Sequence, residues 1–316
     1  MSHELEMVNG QAQMAYVGET PWHGLGVRVS DDLTPEQMMK AAGLDWTVET
    51  VPLIAEYGND VLATGHKALI RDRDAKVLDV ITDDWHPTQN IEAFEFFNDF
   101  VAAGEMKMHT AGSLRDGTIV WALAAVDESF ELFGGRDKVD AYLHFTNPHQ
   151  YGKSIDVRFT GIRCVCWNTV SASLNSKSKN FVKVSHRRKF NADEVKETIG
   201  VAKETLAKYK EMAEYLSQHR YTDENIVDYF KRIFPMADGS KRELSKNANL
   251  AINEWMPNQP GAELGEGTWW QVFNAATFGV DHMIGRSADA RLQSAWYGAN
   301  KSLKTKALEL AVEMAG

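Results

Sequence analysis

The chain has 316 residues, 44% of them hydrophobic and 25% charged, with a formal net charge of −10 at pH 7, a composition that buries a core and excludes a disordered or low-complexity chain. No run of about 18 apolar residues occurs, and the opening MSHELEMVNG has neither the basic nor the apolar region of a signal peptide, so a cytoplasmic protein without a membrane span is expected. The two cysteines, Cys164 and Cys166, are too few for a disulfide framework and too close for an ordinary bridge.

The first helix signal is LTPEQMMKAAG. Thr34 stands at the N-cap, Pro35 at the first helical position, Gln37 completes a capping box and Gly43 ends the helix. From Trp46 to Thr82, alternating segments punctuated by EYGND and RDA predict a β-meander. A second helix is expected in NIEAFEFFNDFVAAG, with Ile91, Phe94, Phe97 and Val101 on one face. Three further strands are expected in GTIVWALAAV (117–126), DAYLHFTN (140–147) and SIDVRFTG (154–161), with turns in FGGRDK and PHQYGK. In the last of these, Ile155, Val157 and Phe159 share one face and Asp156, Arg158 and Thr160 the other, which leaves Arg158 exposed or paired.

IRCVCWNTVSASL then carries Ile162, Val165, Cys166, Thr169 and Val170 at helical spacing. The expectation is a β-β-β-α unit with a basic loop, 177–189, trailing from its helix. Beyond it, Asn191 and Glu194 form the capping box of a long helical segment, and TDENIVDYFKRIF places Ile226, Tyr229, Phe230 and Ile233 on one face. MPNQPGAELGEG (256–267) is the clearest loop, Thr268 and Gln271 cap WWQVFNAATFGVDHMIG, and a last helix starts near Ser287. The fold class is therefore α+β: antiparallel β-meanders with a β-β-β-α unit, then a C-terminal helical region. A boundary near 190 separates an α+β domain (1–190) from a helical region (191–316) packed on it.

Charge is distributed unevenly. From Lys153 to Lys189 nine Lys or Arg face one acid, Asp156, so a local charge of +8 is set against −18 on the rest of the chain. A polyanion is repelled everywhere except at this segment. On the expected helix, Arg163 and Trp167 are four residues apart, a spacing at which a guanidinium lies over an indole.

Other groups lead to blander readings. Cys164 and Cys166 diverge on a helix and lack companion ligands, so both are read as small apolar core thiols. The Trp-His pairs in PWHGLG and DDWHPTQN match no specific motif, and no Walker A sequence, G-x-S-x-G elbow or H-E-x-x-H occurs. Asp72, Asp74, Asp83, Asp84 and His86 are read as solvated turns, with a divalent-metal enzyme built on them as the third of three function classes. No catalytic constellation is identified and no cofactor is called for.

TPWHGLGVRV with LTPEQMMKAAGLDWTVE, WHPTQNIEAFEFF, FTGIRCVCWNTVSASL and WWQVFNAATFGVDH…SAWYGANKSLKTKALELA resemble, in that order, the blocks of domain-of-unknown-function family 932, a phage/plasmid-like family. The family pattern Arg-Val-Val-Cys-x-Asn-Thr-Leu matches Arg163, Cys166, Asn168 and Thr169, with Cys164 and Val170 as departures. The resemblance implies a mobile-element origin and no defined activity. A fainter likeness, in element order and charge alone, is to RAD-type single-strand annealing proteins.

Together these readings lead to a DNA-metabolism protein that binds single-stranded DNA and promotes annealing, as a homo-oligomer, without nucleotide hydrolysis. Lys153, Arg158, Arg163, Lys177, Lys179, Lys183, Arg187, Arg188 and Lys189 would neutralise phosphates, and Trp167 or Tyr151 would stack a base. The alternative is a protein-binding module, such as a host-defence antagonist, that contacts a host protein through its acidic surface.

Overall fold

The computed structural model describes residues 5–21, 24–163, 168–171, 181–188, 190–236, 243–285, 294 and 299–316. The architecture is α+β. Four short strands open it: β1 (Met7–Val8), β2 (Gln11–Ala12), β3 (Met14–Val17) and β4 (Val27–Val29). None is long enough for alternation to register in the sequence. The Trp22-His23 pair lies outside the described residues.

Helix α1 (Pro35–Ala41) begins as its sequence requires. Thr34 Oγ1 accepts from the Gln37 amide at 3.2 Å, Gln37 Oε1 accepts from the Thr34 amide at 2.9 Å, and Gly43 follows the helix at φ 70°. The expected meander is a three-stranded antiparallel sheet of β5 (Val48–Tyr57), β6 (Asp60–Arg71) and β7 (Lys76–Thr82), in that order. Gly58, at φ 63°, opens the two-residue turn between Tyr57 and Asp60.

The helix expected over 90–104 is broken into α2 (Asn90–Glu95) and α3 (Asn98–Ala102). Phe96 and Phe97 are both fully buried and reach the same partner, Phe145, with ring centroids 5.6 and 5.8 Å away. A continuous helix points neighbouring side chains about 100° apart; the break lets both rings enter the core.

The larger sheet contains β8 (Met106–Leu114), β9 (Ile119–Leu132), β10 (Asp137–Pro148), β11 (Ser154–Arg163), β12 (Asn168–Ser171) and β13 (Phe181–Ser185). Its order is β12-β11-β10-β9-β8-β3-β4, with β13 also on β11. Strand β3 runs parallel to β4 and antiparallel to β8. Strand β8 escapes the alternation pattern because Thr110 to Leu114 are all buried, on both faces.

One expectation is overturned here. The described residues of 162–174 form no helix: Ile162 and Arg163 complete β11, and Asn168–Ser171 returns antiparallel to it, pairing Arg163 with Asn168 and Ile162 with Thr169. A short apolar run fits either period, and the edge of β11 together with β-branched Thr169 and Val170 favours the strand. The basic loop also contains order, because Phe181–Ser185 is β13 and pairs with Ser154 to Arg158. The long helix that follows the strands is α4 (Ala192–Gln218), so two short strands separate it from the meander.

Asn191 caps α4 by accepting the Asp193 amide at 3.0 Å. Helix α5 (Asp223–Ile233) is capped by Thr222 and buries Ile226, Tyr229, Phe230 and Ile233, the expected face. Helix α6 (Lys246–Leu250) and a π-helical turn (Ala251–Trp255) precede the segment read as a loop, 256–267, which itself contains α7 (Met256–Asn258) and a 3-10 turn (Ala262–Gly265) and leads into α8 (Trp269–Phe278). Thr268 Oγ1 donates back to Gly265 O at 2.6 Å, and Gln271 Oε1 accepts from the Gly267 amide at 3.1 Å, so the expected Thr268/Gln271 cap is not made. Helix α9 (Ala299–Ala315) closes the chain, and a start at Ser287 lies outside the described residues.

The chain divides into two compact units: Met1–Asp127 with Leu143–Arg158 and Phe181–Ile199, and Glu128–Tyr142 with Phe159–Asn180 and Gly200–Gly316. Three of the dividing points fall inside β9, β10 and β11, one at the start of β13 and one inside α4. Among the described residues no helix is long and apolar enough to cross a membrane.

Candidate nucleic-acid interface

The pairing of β11 with β13 decides which of the expected cations share a surface. In register, Ser154 faces Ser185, Asp156 faces Lys183 and Arg158 faces Phe181. Lys153 precedes the first pair on one strand and Arg187 and Arg188 follow it closely on the other, so these three exposed cations leave the same end of the ladder. Tyr151, 41% exposed, lies in the turn that leads into Lys153. Its amide donates to Asp79 Oδ2 at 2.7 Å, which ties this turn to β7.

Arg158 does not belong to this surface. It is 4% exposed and its guanidinium is paired with the equally buried carboxylate of Asp156. A cation taken out of water is stable only when paired, and the carboxylate two residues earlier on the same face supplies that pair. Removing Arg158 together with Asp156 leaves the segment's +8 unchanged, now with no acid of its own against it.

Arg163 lies on β11 opposite Asn168 and not on a helix. Trp167, Lys177, Lys179 and Lys189, with Cys164 and Cys166, lie outside the described residues. Lys183 is exposed on β13.

The cationic end is held in place by the histidines of two distant motifs. The His86 amide donates to His186 O at 2.7 Å, His186 Nδ1 meets His86 O at 3.1 Å, and the His186 ring stacks on Trp85 with centroids 4.3 Å apart. Arg187 Nε reaches Asp84 Oδ2 at 3.3 Å, both groups being well exposed. Asp84 is held below the usual carboxylate range by the Thr82 hydroxyl and, further, by Arg187. An exposed ion pair of this kind contributes little to stability.

Beneath this end lies a buried polar cluster that the sequence did not single out. Asn147 Nδ2 donates to Thr88 O at 2.8 Å and His149 Nε2 meets Asn90 Oδ1 at 2.9 Å. With His186 on His86, three side chains thus hold alternate residues from His86 to Asn90, the first residue of α2. Asn90 Nδ2 is spent on Leu44 O at 3.0 Å, which makes Oδ1 the acceptor and puts the His149 proton on Nε2. Burial pushes His149 down to about 3, with His186 and Arg71 adding to the shift, and pushes His186 down to about 4 against the opposing carbonyls of His86 and Pro148. The one available sequence signal was WHPTQN, whose alternate polar residues suit an extended segment read from one side.

The acidic cluster does not assemble into a centre. Asp72 accepts from Thr47, Asp74 from Arg71, Asp83 pairs with Lys67 and Asp84 with Arg187. Among the described residues no group of three or more His, Cys, Asp or Glu is placed to hold a metal ion.

No curated protein and no solved structure matches the chain. A sequence profile described as domain of unknown function (DUF932) matches residues 77–296, which takes in every strand from β8 to β13 and the WHPTQN segment. That match spans more than two thirds of the 316 residues, and the chain belongs to the DUF932 family.

Proposed function

We propose that the protein binds single-stranded DNA at the end of the β11–β13 pair and acts in strand annealing. The observation that carries this reading is the emergence of Lys153, Arg187 and Arg188 from one end of that pair, beside exposed Tyr151. Cations tracking phosphates next to an aromatic face that can stack a base are the chemistry of a single-strand groove. The likeness to RAD-type annealing proteins enters as fold-level analogy alone, since β12 and β13 stand between the meander β9-β10-β11 and the long helix α4. Nothing in this mode of action calls for nucleotide hydrolysis or a cofactor.

Titration with fluorescent single-stranded and double-stranded DNA at several salt concentrations tests the reading. With Lys153, Lys183, Arg187 and Arg188 each on a phosphate, log K should fall against log salt with a slope of about −3, from roughly −0.7 per contact. Replacing Lys153, Arg187 and Arg188 by Ala should flatten that slope by about 2 and weaken all sequences alike. Tyr151→Ala should cost about 1–3 kcal/mol with the slope unchanged. Absence of salt-dependent binding to single strands would sink the proposal.

A further inference from the structure

The loop after α1, the start of α2 and the end of β10 meet at a buried junction that the nucleic-acid reading does not use. Asn90 Nδ2 donates to Leu44 O at 3.0 Å and to Trp46 O at 3.4 Å, and Asn90 Oδ1 meets His149 Nε2 at 2.9 Å. Trp46, Asn147 and His149 are all buried. Each carries one polar atom with no hydrogen-bond partner among the protein's atoms: Nε1 of Trp46, Oδ1 of Asn147 and Nδ1 of His149. Such an atom left unpaired in the interior costs about 1–3 kcal/mol, and native structures keep these exceptions few.

The three atoms are complementary in kind. The Trp46 N–H can only donate. His149 spends its proton on Asn90 through Nε2, and burial keeps the ring neutral, pushed down to about 3, so Nδ1 is a bare lone pair. Asn147 spends its amide on Thr88 O at 2.8 Å, so Oδ1 can only accept. The Trp46 and His149 rings have centroids 5.1 Å apart and planes at 56°, yet their nitrogens do not bond to each other. An atom that bridges a donor and an acceptor by two tetrahedrally disposed bonds of about 2.9 Å holds them about 4.7 Å apart, a separation that this ring spacing admits. Asn147 precedes His149 by two residues and reaches the same stretch, Thr88 to Asn90, which puts its acceptor on the same side. The occupant therefore accepts one hydrogen bond and donates two. It is uncharged: a cation has no lone pair for the indole proton, and the Arg71 guanidinium lies 5.1 Å from the centre of the Trp46 ring.

We propose that this junction is a binding site for one buried water molecule, which accepts from Trp46 Nε1 and donates to His149 Nδ1 and Asn147 Oδ1. Three hydrogen bonds are the usual complement of such a water. It ties the loop after α1 to the end of β10, and so completes the grip on residues 86–90 beneath the cationic end. The proposal does not depend on the nucleic-acid reading, and its failure leaves that reading standing.

A high-resolution crystal structure and water-oxygen magnetic relaxation dispersion of the full chain test it. The crystal should show a single density peak about 2.7–3.2 Å from all three atoms. Trp46→Phe, which removes the indole N–H and keeps an aromatic ring, should abolish that peak and lower the number of long-lived waters by one. Trp85→Phe, which alters the indole stacked on His186 instead, should leave the number unchanged. Nitrogen NMR of the wild-type chain gives the same answer without a variant: His149 should be the Nε2–H tautomer, with Nδ1 shifted as a hydrogen-bonded acceptor. No peak, an Nδ1 shift of an unbonded nitrogen, or a water count that Trp46→Phe leaves intact overturns the proposal. An equal loss in both variants overturns the assignment to this junction, and a peak bonded to Nδ1 at about 2.0–2.1 Å replaces the water with a metal ion.

Discussion

Arg71 is 2% exposed and keeps its charge inside the molecule through a set of partners drawn from far along the chain. Its Nη1 donates to Glu6 Oε1 at 2.5 Å and its Nη2 to Asp74 Oδ2 at 2.7 Å, while Glu6 also accepts from Arg73 at 3.3 Å and from Ser113 at 2.6 Å. Removing one partner of a buried pair strands the other charge, so Glu6→Ala should cost about 3–5 kcal/mol in denaturant titration. Gly117 protects the same network, because it sits at φ 90° and an added Cβ would lie 2.3 Å from Arg71 Nη1. Gly117→Ala should therefore destabilise although it removes no contact. The histidines give a second test at this scale. His149 and His186 are held at about 3 and about 4 in the fold, against 6.5 when unfolded. Only the unfolded chain takes up these protons as pH falls below 6.5, so their contribution is fully present above that pH and is lost on acidification. Between about pH 6 and 4 stability should fall by up to about 1.4 kcal/mol per pH unit for each histidine. Melting curves across that range check this, and replacing His186 with Gln should shallow the slope.

The elements differ in how firmly their ends are written locally. The Thr34/Gln37 box, the Asn191 and Thr222 caps and the buried face of α5 are readable from residues within a turn or two of one another. Segment 256–267 is different, since its turns are held by Gln271 from α8: the Gly267 amide donates to its Oε1, its Nε2 donates to Met256 O at 3.3 Å, and Gln259 donates to its carbonyl at 2.9 Å. Gln271→Ala leaves buried donors and acceptors unpaired and should cost about 1–3 kcal/mol. It should also turn 256–267 into an early cleavage site in limited proteolysis, where the native segment resists. Equal cleavage of both proteins in this segment would show that Gln271 does not hold it.

For the whole molecule, the separation of charge into a basic segment and an acidic remainder is kept among the described residues, because Arg158, withdrawn into the core, takes the segment's one acid with it. DNA affinity measured over a salt series reads the basic side of that separation, as a negative slope of log K against log salt.

Composition, caps and turns determined by themselves that this is an α+β protein, with the 46–82 meander, the three strands through 161, the long helices after 191 and a basic segment at 153–189. These signals are local: a cap spans four residues, a hairpin turn two, and net charge needs no coordinates. Only the tertiary structure decided that Ile162 to Ser171 and Phe181 to Ser185 are strands, because their period is ambiguous and an edge on β11 supplied the hydrogen bonds. It also decided that Arg158 is internal, and that His86, Thr88 and Asn90 are gripped by residues 59 to 100 positions away. Burial and strand partnership are set by residues distant in the chain, and no window along the sequence contains both members of such a pair.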